Sequence, residues 1–296
     1  MSSICIIGLG WLGFPLTKHL QSKQYLIKGT VRSPNKQKII AKMLNSKIER
    51  FDLYAQAQQN ADEKPMIESL AASEVVVINI PPGRKNFNAE LYIKNMQGLI
   101  QRAFDNACKH LVFVSTTGVF SNSHSIVTNT SLADANTPSG VAHAKIENYL
   151  LNNYFNATTI IRPAGLVGPT QNFAEIDIAS TVPKFRHPIY TLCHKTNIEK
   201  GNDPVNLVHL DDVIAVIVAA IEQKCTGQAL NVSATEHPTR KDYYEWCAKQ
   251  LNLPIPGFLE DNKKRQIGKI IDASDTYSLL GLVPNYNSPY KMLKQG

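Results

Sequence analysis

The sequence predicts a doubly wound, mostly parallel α/β fold with a smaller, interleaved C-terminal cap. Three observations carry this reading. Through the first two thirds of the chain, short β-branched runs alternate with longer amphipathic stretches, the order expected of a parallel sheet covered by helices. A glycine-rich turn separates the first run from the first amphipathic stretch. Beyond Pro163 the alternation fades, and Pro169–His194 reads as irregular loops.

Taken in order, the first strand is Ile4–Ile7, and a helix follows around Leu12–Leu20. There Leu12, Leu16 and Leu20 recur every four residues and turn one stripe to the sheet. Strands are expected at Tyr25–Arg32, Lys47–Phe51, Val75–Ile80, Leu111–Ser115 and Thr158–Arg162. Helical segments are expected at Pro65–Ala72, Ala89–Ala107 and Gly140–Leu151. Val205–Gln223 reads as a strand or turn leading into an apolar helix with Val213, Val216, Ile217, Ala220 and Ile221, and Ala229–Val232 as another strand. A last helix, Arg240–Leu251, opens after Thr239 as its N-cap.

Composition narrows the function classes. With 296 residues, 43% of them hydrophobic and 19% charged, the chain can bury a sizeable core, and 16 Gly with 16 Pro exclude collagen, a long coiled coil and general disorder. Lys plus Arg number 31 against 24 acids, so 31 − 24 gives +7. The basic residues form no run of five, which argues against a nucleic-acid partner and leaves a small anion or a solvated surface. Cys5, Cys108, Cys193, Cys225 and Cys247 are odd in number and contain no Cys-x-x-Cys, which fits a reduced cytoplasm. The apolar start Ile4–Leu16 is broken by three glycines and a proline, so neither a signal peptide nor a membrane span is expected. No zinc spacing and no G-x-S-x-G appear, so metal and acyl-enzyme chemistry are not expected. The assembly is expected to be a monomer or homodimer.

The strongest motif is Gly8-Leu9-Gly10-Trp11-Leu12-Gly13, a G-x-G-x-x-G directly after a strand and opening a helix. Its glycines serve a tight turn, the close approach of a pyrophosphate and close helix-to-strand packing, and the helix N-terminus offers N–H groups to phosphate. Dinucleotide binding follows. At the end of the second strand an NAD site would place an acid on the ribose, whereas this chain has Arg32 and Ser33. A guanidinium forks onto a 2′-phosphate and a hydroxyl adds a hydrogen bond, so NADP is favoured, with NAD as the second choice.

Several further segments occur in the order seen in one family. They are Asn95-Met96-Gln97-Gly98, Val114-Ser115-Thr116-Thr117-Gly118-Val119-Phe120, Arg162-Pro163-Ala164-Gly165-Leu166-Val167-Gly168-Pro169 and Val208-His209-Leu210-Asp211-Asp212-Val213. In these the chain resembles the extended short-chain dehydrogenase/reductase superfamily, the NAD-dependent epimerase/dehydratase group. The resemblance implies a Rossmann domain at 1–168 completed by about 200–233, with a substrate-binding cap from 169–199 and 234–296. It sets Asp52 near the adenine and gives Thr116 the role of the catalytic hydroxyl. The expected cofactor set is Gly8, Gly10, Trp11, Leu12, Gly13, Arg32, Ser33, Asp52, Ile80, Pro81, Ser115 and Pro163.

One departure is large. The family's catalytic Tyr-x-x-x-Lys would fall in Ser139–Glu147, which has no tyrosine. One register aligns Lys145 with the lysine and Val141 with the tyrosine. A second, anchored on Glu147, puts His143 at the lysine and Ser139 at the tyrosine; it is preferred because it agrees with family members that lack the motif. Ala142, Ile146, Tyr149 and Leu150 are expected to form the buried stripe, with His143 and Lys145 flanking it. Val205-Asn206 stands where sugar-nucleotide enzymes carry an Arg-Asp pair, which argues against a nucleotide-sugar substrate. Arg186, His187, Asn206 and His209 are candidates for the pocket wall, and the last two serve equally well as structural groups. The expected function is an NADP(H)-dependent oxidoreductase or epimerase-like enzyme on a small carbonyl or hydroxyl compound. The alternative is a catalytically degenerate NADP(H) sensor.

Overall fold

A computed structural model describes residues 3–54, 73–83, 87–106, 108–123, 125–170, 185–260 and 268–293. The chain begins with β1 (Ser3–Ile7), α1 (Gly13–Ser22), β2 (Leu26–Val31), α2 (Pro34–Leu44), β3 (Lys47–Arg50), β4 (Val75–Ile78), α3 (Ala89–Asp105) and β5 (His110–Val114). It continues with β6 (Ile126–Val127), α4 (Pro138–Tyr154), β7 (Thr158–Pro163), β8 (Gly165–Pro169), β9 (Phe185–Arg186), the one-turn α5 (Ile189–Leu192) and β10 (Leu207–His209). The last elements are α6 (Leu210–Glu222), β11 (Gln228–Val232), α7 (Arg240–Gln250), β12 (Ile270–Ile271) and α8 (Ser274–Leu280).

Seven strands make the central sheet in the order β11-β7-β5-β4-β1-β2-β3, with every pairing parallel. The chain therefore winds outward twice from the middle, and the direction of winding reverses between β1 and β4. This is the doubly wound, mostly parallel fold that the alternation predicts. Its strands read as nearly continuous apolar runs because both faces are covered. Ile4, Ile6, Val77, Val112, Ile161 and Leu230 face the layer of α1, α2, α6 and α8. Cys5, Ile7, Val76, Ile78, Phe113 and Ile160 face α3 and α4. Helix α6 is apolar almost all round because it is wedged between the sheet, α1 and α8.

Two differences from the sequence reading concern strand ends. The ladder stops at Val31 and at Ile78, so Arg32, Asn79 and Ile80 lie beyond it, past the carboxyl ends of their strands. The segment Pro65–Ala72 lies outside the described residues. Within the stretch expected to be irregular, β9 pairs antiparallel with β8, which also pairs with β10, and α5 follows. A further core gathers Val167, Phe185, Ile189, Leu207, Tyr243, Tyr244, Cys247 and Met292.

Among the described residues, five α-helices carry a side-chain cap. Ser33, Asn88, Thr137 and Thr239 accept from the N–H three residues on, and His209 Nδ1 accepts from Asp211 N. Helices α1, α5 and α8 have no such bond, and at α1 the N-cap is Leu12. No helix among the described residues is long and apolar enough to cross a membrane.

Strand β11 pairs with β7 at the edge of the central sheet, far along the chain from the other strands. Leu230 on it is fully buried. Leu230→Ala should cost about 2–5 kcal/mol, the usual range for a core leucine truncation, read as a lower urea midpoint at unchanged slope.

Candidate active site

The site is built at the reversal between β1 and β4, where an open α/β sheet leaves a crevice beyond its strand ends. Gly8 has φ of +105°, which an L side chain rarely adopts, and a Cβ there would strike the Asn79 carbonyl. A Cβ on Gly13 would strike the Gly8 carbonyl, so this glycine lets the helix start against the strand. Gly10 is different: a Cβ on it would meet nothing within 4 Å. It is exposed and lines the crevice, so a side chain there would project into the ligand's space.

The turn is held from both neighbours. Gly8 N donates to Thr30 Oγ1 at 3.2 Å and Leu9 N to Thr30 O at 2.8 Å. Asn79 Nδ2 donates to Gly8 O at 3.2 Å. The first helical bonds are Phe14 N to Gly10 O and Leu16 N to Leu12 O. Leu12 gives the start of α1 no side-chain cap, so its first N–H groups lack the partner that a capping side chain supplies elsewhere.

A cavity of about 450 Å³ opens beside this loop. Gly8, Gly10, Arg32, Ser33, Asp52, Ile80 and Pro81 line it, together with Thr30, Lys36, Tyr54, Asn79 and Pro82, which sequence reasoning had not singled out. Lys36 could have been found, since it lies one turn into α2 beyond Ser33. The Ser33 hydroxyl accepts from Lys36 N at 3.5 Å and keeps its proton to donate. Asp52 accepts from Tyr54 N at 3.1 Å through one oxygen. Asn95 of the Asn-x-x-Gly segment donates to Leu53 O at 2.8 Å, which fixes the cavity wall from α3. Trp11, Leu12, Gly13, Ser115 and Pro163 do not line this cavity. Leu12, Ser115 and Pro163 are buried, and the Trp11 indole is turned to Pro169.

Beyond β5, Thr116 Oγ1 accepts from Gly118 N at 3.0 Å and caps the turn Thr117–Val119. An accepting hydroxyl still has its proton, so Thr116 remains able to donate to a substrate oxygen. Ser115 Oγ points inward and donates to Glu147 Oε1 at 2.5 Å. Glu147 is also paired with Arg162, whose Nε and Nη2 reach its two oxygens at 2.7 to 3.1 Å. Arg162 Nη1 adds a bond to Asn129 O, and its guanidinium lies over the Phe120 ring at 5.0 Å. This buried cluster ties the ends of β5 and β7 to α4.

On α4 the expected Ala142, Ile146 and Leu150 are buried, and the buried face is wider than the stripe read from the sequence. His143 belongs to it, with only 4% of its surface exposed, whereas Tyr149 is half-buried. The imidazole sits between the Tyr92 and Phe113 rings at 5.8 and 6.0 Å, and its Nδ1 meets Ser139 O at 2.8 Å. Burial pushes its pKa below the usual histidine value, so the ring is neutral at pH 7. A neutral ring that donates from Nδ1 to a carbonyl keeps a lone pair on Nε2. Lys145 is exposed. The other candidates separate likewise. Asn206 bridges Lys269 O and Ile271 N, and His209 caps α6 and stacks on Tyr286 at 3.8 Å. His187 Nε2 meets Tyr243 Oη at 2.9 Å inside the cap core, and Arg186 lies over Trp11.

Residues 4–233 match the family model described as the NAD dependent epimerase/dehydratase family. The chain belongs to that family. It is 30% identical over 295 residues to Protein YeeZ of Escherichia coli strain K12, covering 99% of each chain. Among solved structures it resembles UDP-N-acetylglucosamine 4-epimerase from Bacillus cereus, with a TM-score of 0.72 and 14% identity over 97% of this chain and 95% of that one. It also resembles Gre2 of Candida albicans in complex with NADPH, with a TM-score of 0.73 and 16% identity over the same shares. These likenesses establish the shared fold. With the family they support an NAD(P)-dependent epimerase, dehydratase or reductase type of enzyme and a nicotinamide dinucleotide as cofactor.

Two outcomes follow from the buried groups. Arg162→Met leaves Glu147 buried and unpaired and should cost about 3–5 kcal/mol, while the double variant with Glu147→Gln should lose less than the sum, as double-mutant unfolding would show. Burial lowers His110 and His187 to about 4. The unfolded chain holds these protons with a pKa of about 6.5, so their contribution is complete above that pH and is lost as pH falls toward 4. His187→Asn should flatten the decline in unfolding free energy between pH 6.5 and 5.

Proposed function

We propose that the protein is an NADP(H)-dependent oxidoreductase or epimerase-like enzyme acting on a small carbonyl or hydroxyl compound. The observation that carries the NADP preference is the corner of the cavity where β2 ends and α2 begins. Arg32, Ser33 and Lys36 line it, and the position at the strand end is not acidic. Two cations, a donor hydroxyl and the N-terminal end of α2 favour a 2′-phosphate there. Asp52, across the same cavity, suits an adenine or ribose donor.

The nicotinamide dinucleotide supplies the hydride. In the chain's own chemistry, the Thr116 hydroxyl hydrogen-bonds the substrate oxygen and keeps its proton, with Gly118 N donating to its oxygen. With serine at the tyrosine's place, His143 takes up the alcohol's proton on its accepting nitrogen in the oxidative direction and returns that proton to the substrate oxygen in the reductive one, with Thr116 only hydrogen-bonding the oxygen. The register anchored on Glu147 is supported by that residue's pairing with Ser115 and Arg162. The reading of a small substrate is supported by Val205, which is buried, and by Asn206, whose side chain is committed to the backbone at 269 and 271. Neither offers the cation that a nucleotide diphosphate sugar calls for.

A second reading, a sensor that binds NADP(H) without turnover, is favoured by one observation: His143 is packed like a core residue between two aromatic rings. The purified protein mixed with NADPH and a panel of aldehydes, ketones and sugars separates the readings, since loss of absorbance at the nicotinamide band requires turnover. In a turning-over enzyme, Thr116→Val and His143→Ala should each lower kcat by about 100-fold or more, and Lys145→Ala should leave it near wild type. Weakened NADPH binding in Lys145→Ala with an active His143→Ala would favour the other register. NADPH should bind more tightly than NADH, and Arg32→Ala should remove about tenfold of the difference, read by nicotinamide fluorescence. Equal wild-type affinities would sink the NADP reading.

A further inference from the structure

Helix α4 meets the turn that follows Thr116 at one tight point. A Cβ on Gly140, in the first turn of α4, would lie 2.2 Å from the Gly118 carbonyl oxygen, about 1 Å short of ordinary van der Waals contact. It would also lie 2.8 Å from Ala135 Cβ and 2.9 Å from Thr137 Oγ1. The helix is held on its side of this contact. Seven residues on, Glu147 is fixed by Ser115 and Arg162, and at the first turn Thr137 Oγ1 accepts from Gly140 N at 3.2 Å. The turn Thr117–Val119 is the softer partner. Gly118 is exposed, and the turn closes through long bonds of 3.3 Å, from Val119 N to Thr116 O and from Phe120 N to Thr117 O. The residue whose carbonyl faces Gly140 is also the one whose N–H donates to Thr116 Oγ1 at 3.0 Å.

We propose that Gly140 is a positioning residue for the reaction: having no Cβ, it lets Gly118 stand where its N–H aims the Thr116 hydroxyl at the substrate oxygen. The inference rests on reading Thr116 as the group that hydrogen-bonds the reacting oxygen. A side chain at 140 meets a fixed helix on one side and a yielding turn on the other, so Gly118 shifts and Thr116 follows it. Hydrogen bonds weaken steeply with misalignment, and a displacement of about 1 Å in a reacting geometry can cost about 100-fold in rate. His143 keeps its place, because Ser139 O and the Tyr92 and Phe113 rings hold it. Neither Gly118 nor Gly140 lines the cavity beside the glycine loop, so the loss falls on the chemical step and spares dinucleotide binding. Without the contact, alanine would be the better residue in a helix.

The test follows Gly140→Ala, Thr116→Val and the double variant with NADPH and whichever aldehyde, ketone or sugar of the panel the wild-type protein turns over. Gly140→Ala should lower kcat by about 10- to 100-fold, with NADPH affinity unchanged by nicotinamide fluorescence and the pH dependence that His143 carries unchanged in shape. In the Thr116→Val background the same substitution should change kcat by less than about twofold, since the group it displaces is gone. Amide spectra of protein labelled at glycine read the geometry without turnover: the Gly118 resonance should move in both single variants. Thermal unfolding checks that each variant is folded. If Gly140→Ala is not, Thr137→Ala, which frees the first turn of α4 from its cap, should lower kcat several-fold and move the same resonance, and no effect on either overturns the proposal. An unchanged kcat or an unmoved Gly118 amide in folded Gly140→Ala overturns it, and so does a full further loss in the Thr116→Val background. A wild-type protein that turns over no compound counts against the proposed function, which is a separate result, and the Gly118 amide still decides whether Gly140 sets the turn.

Discussion

The site depends on the approach of two backbones, that of Gly8 at the end of β1 and that of Asn79 at the end of β4. The sheet winds in opposite directions from these strands, so a gap must open between their carboxyl ends. Only a residue without a Cβ, in a left-handed conformation, lets the chain turn there without striking the Asn79 carbonyl. Asn79 in turn holds the Gly8 carbonyl with its side-chain amide. The start of α1, the crevice and the wall formed by Ile80 and Pro81 are all positioned from that contact.

Much of this was legible in the sequence, for physical reasons that differ between parts. The parallel sheet could be read because strands buried on both faces must be apolar along their length, and the glycine loop because its spacing meets a backbone requirement that few other residues satisfy. Strand ends such as Arg32 and Ile80 were assigned to strands because their β-branched neighbours extend the pattern, although the ladder has already stopped. Lys36 is legible only once the start of α2 after Ser33 is taken into account, because it then falls one turn beyond the strand end. The burial of His143 could not be read from periodicity. Its side of α4 is covered by Tyr92 and Phe113, which come from distant segments.

The buried pair of Glu147 and Arg162 shows how a polar group can be part of the core. Ser115, Glu147, Arg162 and Asn129 come from two strand ends, a helix and a loop, and Asn129 also accepts from Asn231 N and Thr276 Oγ1. A cluster of this kind adds little net stability against an apolar alternative, but its bond directions allow few arrangements. Thr116, next along from Ser115, takes its place from that restriction.

Helix α1 lacks the side-chain cap that five other helices carry, and this has a consequence for the life of the protein. An anion bound on its first turn would complete the helix and couple occupancy to folding by mass action: the free energy of unfolding would rise with the logarithm of ligand concentration above the dissociation constant. Resistance to proteolysis would then follow the supply of that anion, independently of any turnover.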